Sequence, residues 1–188
     1  MTLANDMNAW YKERTNTHIK RVQKYAYLIT DFFPEFQELR KIVKKHDQSK
    51  FEDPERIPYI FITWDYKCKR DGVPFDMPQI MKDKMNGATE HHILHNGHHP
   101  EKWDPDYNPS MFNRDNRDAI PDTMVNATAM PDVYIAEMCA DWMAMSEELS
   151  SRPQDWADMN VNVRWQFTDE QVELIYNILN KIWDLKKV

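Results

Sequence analysis

Five of the seven histidines in this 188-residue chain fall within nine positions: His91, His92, His95, His98 and His99. The other two, His18 and His46, lie upstream. Imidazole is the commonest protein ligand for transition metals, and carboxylates complete such sites. His46 is followed at once by Asp47 near the expected end of a helix, which lets two adjacent side chains converge on one ion. Asp141 sits among apolar neighbours in Glu137-Met138-Cys139-Ala140-Asp141-Trp142. A lone buried carboxylate is costly, so Asp141 either ligates a cation or pairs with one, such as Lys20 or Arg21. His92 and His95 are three apart and His91 and His95 four apart, so either pair shares a helical face. A break at Asn96-Gly97 then allows His98 and His99 to turn back toward the same centre. Metal-centred chemistry is the expectation.

These residues need elements to hold them. Ile19, Val22, Ala26 and Ile29 are at helical spacing and predict a helix over 15–33, with Thr15 or Asn16 as its N-cap. Pro34 stops it and opens a second helix running to about His46. Pro54 and Pro58 mark a loop from Ser49 to Pro58, and the aromatic-rich stretch 55–70 fits helix or strand by periodicity, helix being favoured. A further helix over 77–96 ends at Asn96-Gly97. A long proline-rich loop follows, over about 98–130, of a length that is usually functional or mobile. A helix from Met130-Pro131 to about Leu149 carries Asp141. The last helix opens on a capping box, Thr168-Asp169-Glu170-Gln171, and presents Val172, Ile175, Ile178, Leu179 and Ile182 on one stripe. The fold expected is all-α, a single domain of five or six helices around a metal site, with its core over about 15–185.

Composition narrows the function. Asp and Glu number 31 against 24 Lys and Arg, for a formal charge of -7, which disfavours duplex nucleic acid as a partner. A hydrophobic fraction of 41% supports a folded core, and no run is long enough to span a membrane. The start of the chain carries no basic segment followed by an apolar run, so no signal peptide is expected. Cys68 and Cys139 lack C-x-x-C spacing and read as ordinary buried thiols in a reducing, cytoplasmic setting. Only three glycines occur, Gly72, Gly87 and Gly97, too dispersed for a phosphate-cradling loop. Any phosphate must therefore be met by side chains or metal.

The order His18, His46-Asp47, His92 with His98 or His99, and Asp141 resembles the HD superfamily of metal-dependent phosphohydrolases. More narrowly, Lys45-His46-Asp47-Gln48-Ser49-Lys50-Phe51, the segment from His91 to Glu101, and the segment from Glu137 to Trp142 are similar to a family of small HD-like proteins of bacteria and their phages. The resemblance implies a first metal set of His18, His46, Asp47 and Asp141. It also implies that Asp47 bridges to a second ion held by His92 and His98 or His99. The cofactor implied is one or two divalent transition-metal ions: manganese, iron, cobalt, nickel or zinc. The activity implied is hydrolysis of a small phosphorylated molecule, a nucleotide above all, by water activated on the metal. His95 or His99 would protonate the leaving group, and Lys50 would balance phosphate charge unless it pairs with Glu52 or Glu55. Trp103 and Tyr107 of the long loop either stack on a base or anchor the loop. Two other readings use the same residues: a di-iron oxygenase, and a non-catalytic nucleotide-binding module. HD-fold hydrolases frequently dimerise, and the final helix with Trp183 offers a homodimer surface.

Overall fold

The computed structural model describes residues 2–108 and 121–185. Its longest element, α1 (Leu3–Phe32), buries Tyr11, Thr15, His18, Val22, Tyr25 and Ile29, a stripe recurring every three or four residues. The helix ends where Pro34 follows Phe33, whose amide still donates to the Ile29 carbonyl at 2.8 Å. It begins about twelve residues earlier than the periodicity suggests. Thr15 is therefore mid-helix and buried instead of capping, while Met7 and Tyr11 extend the stripe through a polar segment.

Beyond Pro34 the expected helix over 34–46 is broken. A 3-10 turn over Pro34–Phe36 leads into the four-residue α2 (Leu39–Ile42), and tight turns carry the chain to His46. The His46 amide bonds back to Val43 and that of Gln48 to Lys45, both three residues earlier. A second 3-10 turn, Gln48–Phe51, follows, and α3 (Arg56–Asp71) then contains Pro58 in its first turn, where no amide donor is needed. α4 (Gln79–His95) ends as expected at Asn96.

α5 (Asp132–Leu149) is the central element. Ile135, Ala136, Met138, Cys139, Ala140, Met143 and Ala144 are all buried, and the helix packs between α1 and the last helix. A short helix that periodicity does not reveal, α6 (Pro153–Asn160), precedes α7 (Asp169–Asp184). α7 begins with the expected capping box: Thr168 Oγ1 accepts from the Gln171 amide at 3.3 Å, and Gln171 Oε1 accepts from the Thr168 amide at 3.0 Å. Such caps contribute about 1 kcal/mol. The only strands among the described residues are β1 (Val125–Asn126) and β2 (Trp165–Gln166), a parallel two-residue pair that ties the long loop to the segment before α7. The result is all-α, with seven helices among the described residues where five or six were expected. No described helix is long and apolar enough to cross a membrane.

Two apolar clusters form. The larger joins α1 from Val22 onward with α2, α5, α6 and α7. The smaller joins Met7 and Tyr11 of α1 with Tyr59, Ile60 and Ile62 of α3 and Ala88 of α4. Trp183 belongs to the larger cluster, its ring 6.0 Å from that of Tyr25. The stripe of α7 is thus covered within the chain.

Candidate metal centre

His18, on the buried stripe of α1, meets Asp141, which α5 presents across the α1–α5 contact: Nε2 of the histidine is 2.9 Å from Oδ1 of the aspartate. His46 and Asp47 reach the same point from the turn after α2. Asp47 has a left-handed backbone (φ 58°, ψ 13°), a conformation that aspartate tolerates better than most residues. That twist brings two consecutive side chains to one place. His46 Nε2 lies 3.4 Å from His18 Nε2 and 3.7 Å from both Asp47 Oδ2 and Asp141 Oδ1, and His18 Nε2 is 3.4 Å from Asp47 Oδ2.

The other oxygen of Asp47 faces a different group. Oδ1 is 3.3 Å from His92 Nε2 and 3.8 Å from His98 Nε2. His92, His98 and His99 each offer a ligand atom within 4.8 Å of the others. His92 comes from the buried face of α4, and His98 and His99 from the turn beyond it. Gly97 makes that turn possible, because a Cβ there would stand 2.2 Å from the Tyr134 ring of α5. Trp103 closes the turn by donating Nε1–H to the Gly97 carbonyl at 2.9 Å, so this aromatic anchors the loop. Residues 109–120 of the long loop lie outside the described residues.

Two carboxylates hold the imidazoles in orientation. Glu137, one turn before Asp141 on α5, accepts from His46 Nδ1 at 3.0 Å and stands 3.8 Å from His98 Nδ1. Glu55, fully buried, accepts from His92 Nδ1 at 2.9 Å through one oxygen and from His91 Nδ1 at 2.7 Å through the other. A carboxylate on Nδ1 leaves Nε2 free to ligate and raises its basicity, the usual support of a metal-bound histidine. Neither glutamate was among the expected site residues. Glu137 shares a helical face with Asp141, a signal the spacing of four carries; Glu55 sits in a proline-flanked loop with no periodicity to mark it.

Charge completes the centre. Burial works against an ionised Asp47, yet Lys50, His46 and His92 hold its carboxyl well below the usual range. Asp141 is held low in the same way, burial being outweighed by His18 and His46. Burial would lower the His46 pKa, but Asp47, Asp141 and Glu137 overcome it and push it up to about 10. His98 and His99 are the reverse: burial first, then the neighbouring imidazoles, keeps both well below the ordinary histidine value and therefore neutral. The Lys50 ammonium lies 2.6 Å from Asp47 Oδ2, so its partner is Asp47, neither Glu52 nor Glu55. Arg21 pairs with Glu147 and Glu148, leaving Asp141 to the histidines.

The expected residues divide accordingly. His18, His46, Asp47, His92, His98 and Asp141 come together, and Lys50 joins them. His99 joins the second imidazole group, where its Nε2 is buried and has no hydrogen-bond partner. His95 does not join: it is exposed, donates Nδ1–H to the His91 carbonyl at 2.7 Å, and stacks on the His91 ring. The helical phase of α4 explains this, since His92 faces inward while His91 and His95, a turn apart, face out. His95, for which a leaving-group role is expected, thus stands apart from the buried group.

The donor set suits a metal ion. Donors bound to one ion at about 2.0–2.2 Å stand roughly 3–3.5 Å apart, close to the separations around both oxygens of Asp47. Asp47 Oδ1 and His99 Nε2 are buried with no hydrogen-bond partner, as ligand atoms directed at a cation would be. With imidazole and carboxylate but no thiolate, the set fits manganese, iron, cobalt, nickel or zinc. Proton linkage follows from His46. At neutral pH its imidazolium must lose a proton to ligate, so affinity for an ion at His18, His46, Asp47 and Asp141 should rise with pH toward about 10, by up to about tenfold per unit. The same raised pKa gives the metal-free fold a contribution that is complete below the ordinary histidine value and lost as pH climbs through about 10. Metal titration with a pH indicator in weak buffer should show proton release at neutral pH; loading without release would contradict the His46 assignment.

An all-α chain with a buried histidine–carboxylate centre able to hold a metal ion is the class that fold and site define. The chain belongs to a family of unknown function, DUF5662, whose profile matches residues 7–181 and so includes every residue of the centre. No curated protein and no solved structure matches the chain.

Proposed function

We propose that the chain is an HD-type metal-dependent phosphohydrolase whose substrate is a small phosphorylated molecule, a nucleotide being the class expected. The observation that carries this reading is Asp47. Its two oxygens face two separate groups of imidazoles, the arrangement a carboxylate needs to bridge a pair of ions. A divalent pair, when bound, supplies Lewis acidity toward phosphoryl oxygens and brings the pKa of water near neutrality. The chain's own residues then position the substrate. The Lys50 side chain is one-fifth exposed and its ammonium stands at the bridging carboxylate, where a phosphoryl oxygen would meet it. Asp141 is also one-fifth exposed at its side chain.

The test begins with metal content by mass spectrometry on protein purified without an affinity tag, followed by phosphate release from a panel of nucleotides. One or two equivalents of manganese, cobalt, nickel or zinc with phosphate release support the reading. Lys50→Ala should then raise KM severalfold with a smaller change in kcat, because ground-state contact with the phosphate is lost. An unchanged KM would confine Lys50 to its pairing with Asp47. A pair of irons without phosphate release would favour the oxygenase reading, and nucleotide binding without turnover a non-catalytic module. Protein that holds no ion and takes none up on titration would end the proposal.

A further inference from the structure

Lys50 is the group that meets phosphate in the reading above, and it stands on the 3-10 turn Gln48–Phe51. A lysine side chain is flexible, so its ammonium is well placed only where other groups hold it. The backbone of Lys50 is tied on both sides. Its amide donates to the Asp47 carbonyl at 3.1 Å, and its carbonyl accepts from the Tyr11 hydroxyl. Tyr11 is buried and stands two turns before His18 on the inward stripe of α1. The side chain is held as well. The Lys50 ammonium lies over the Tyr59 ring, 5.4 Å from its centroid and within the reach of a cation–π contact. Tyr59 is buried on α3 and meets His92 with ring centroids 5.6 Å apart and planes at 67°. Neither tyrosine belongs to the ligand set described above.

We propose that Tyr11 and Tyr59 are positioning residues that fix the Lys50 ammonium beside Asp47 for contact with a phosphoryl oxygen, an inference that rests on the phosphohydrolase reading. Two features separate this role from packing alone. The Tyr11 ring lies in the smaller apolar cluster, 6.1 Å from the Phe51 ring, where a phenylalanine would pack as well. Its hydroxyl goes further and bonds the backbone of the residue whose ammonium reaches the bridging carboxylate at 2.6 Å. Tyr59 offers a π face, which attracts an ammonium without neutralising it, so the charge stays available to an anion. The lysine is thus fixed from three directions: a hydroxyl of α1 on its carbonyl, a ring of α3 under its ammonium, and the Asp47 carboxylate beside it.

Tyr11→Phe and Tyr59→Leu test this, each alone and each combined with Lys50→Ala. With a nucleotide that the wild type hydrolyses, each single substitution should raise KM about two- to tenfold, with kcat and metal content little changed. In the Lys50→Ala background neither should add to the rise, because both act through that ammonium. Proton NMR gives a readout that needs no turnover. The Tyr59 ring should shift the ε-methylene protons of Lys50 upfield; Tyr59→Leu should abolish the shift and Tyr11→Phe should reduce it. An unchanged KM in either single variant, or a rise of equal size in the Lys50→Ala background, overturns the proposal. Failure of the broader reading is distinguishable. A shifted Lys50 signal in a wild type that releases no phosphate overturns the phosphohydrolase reading and the phosphate contact with it. Phosphate release with an unshifted signal overturns this inference alone.

Discussion

Asp47→Ala should leave both halves of the buried centre without metal. Every other ligand serves one half, whereas Asp47 gives Oδ2 to the His18–His46–Asp141 group and Oδ1 to the His92–His98 group. Affinity should fall by more than the roughly 10–100-fold that losing an outer partner costs, and any hydrolysis should fall with it. Metal content measured beside the wild type, with phosphate release on the same samples, reads both effects. Retention of one full equivalent at wild-type affinity would show that Asp47 serves a single ion. The substitution has a second effect, because alanine is uncomfortable in the left-handed backbone found at this position, by about 1–2 kcal/mol. Asp47→Asn separates the two: asparagine suits that backbone and keeps the shape while removing the charge. Thermal melting of both metal-free variants shows which loss belongs to the fold.

The second large effect is expected at Glu137. This carboxylate accepts from His46 and stands against His98, so it contacts one imidazole from each half. Glu137→Gln preserves volume but can no longer take the His46 proton as a charged acceptor. Metal affinity of both halves should drop about 10–100-fold. Glu55→Gln is the control, since Glu55 holds His92 and should weaken only the half that contains it. Competition titrations against a chelator measure this directly. Equal losses from the two variants in both halves would mean that the halves are coupled through something other than Glu137.

How much of this was legible in the sequence depends on the kind of order involved. Amphipathic periodicity and local stop signals revealed α4, α5 and α7 and most of α1, whereas the apolar, aromatic run of α3 fits helix or strand by periodicity alone. Periodicity failed where burial depends on a distant partner. Met7 and Tyr11 count as stripe residues only because α3 and α4 pack over them, and β1 and β2 pair across some forty residues of chain. The helix expected over 34–46 gave way to tight turns that deliver His46 and Asp47 inward. In the centre itself, first-contact ligands stood out by residue type, and the spacing of His92 against His91 and His95 held the information that only one of the three faces in. The carboxylates behind them did not stand out, because a glutamate that orients a histidine looks like any other glutamate until the fold closes around it.

The placement of α1 has a mechanical consequence. Its first four turns belong to the smaller cluster and its last four to the larger one, with His18 between them. The buried centre therefore occupies the seam between the two clusters that α1 joins: His92 and Glu55 come from the α3–α4 side, while His18 and Asp141 come from α1 and α5. An ion shared across Asp47 would act as a rivet through that seam. Loss of the ion would loosen the α3–α4 body as a unit and leave the larger core standing, so that cargo and rigidity would come and go together.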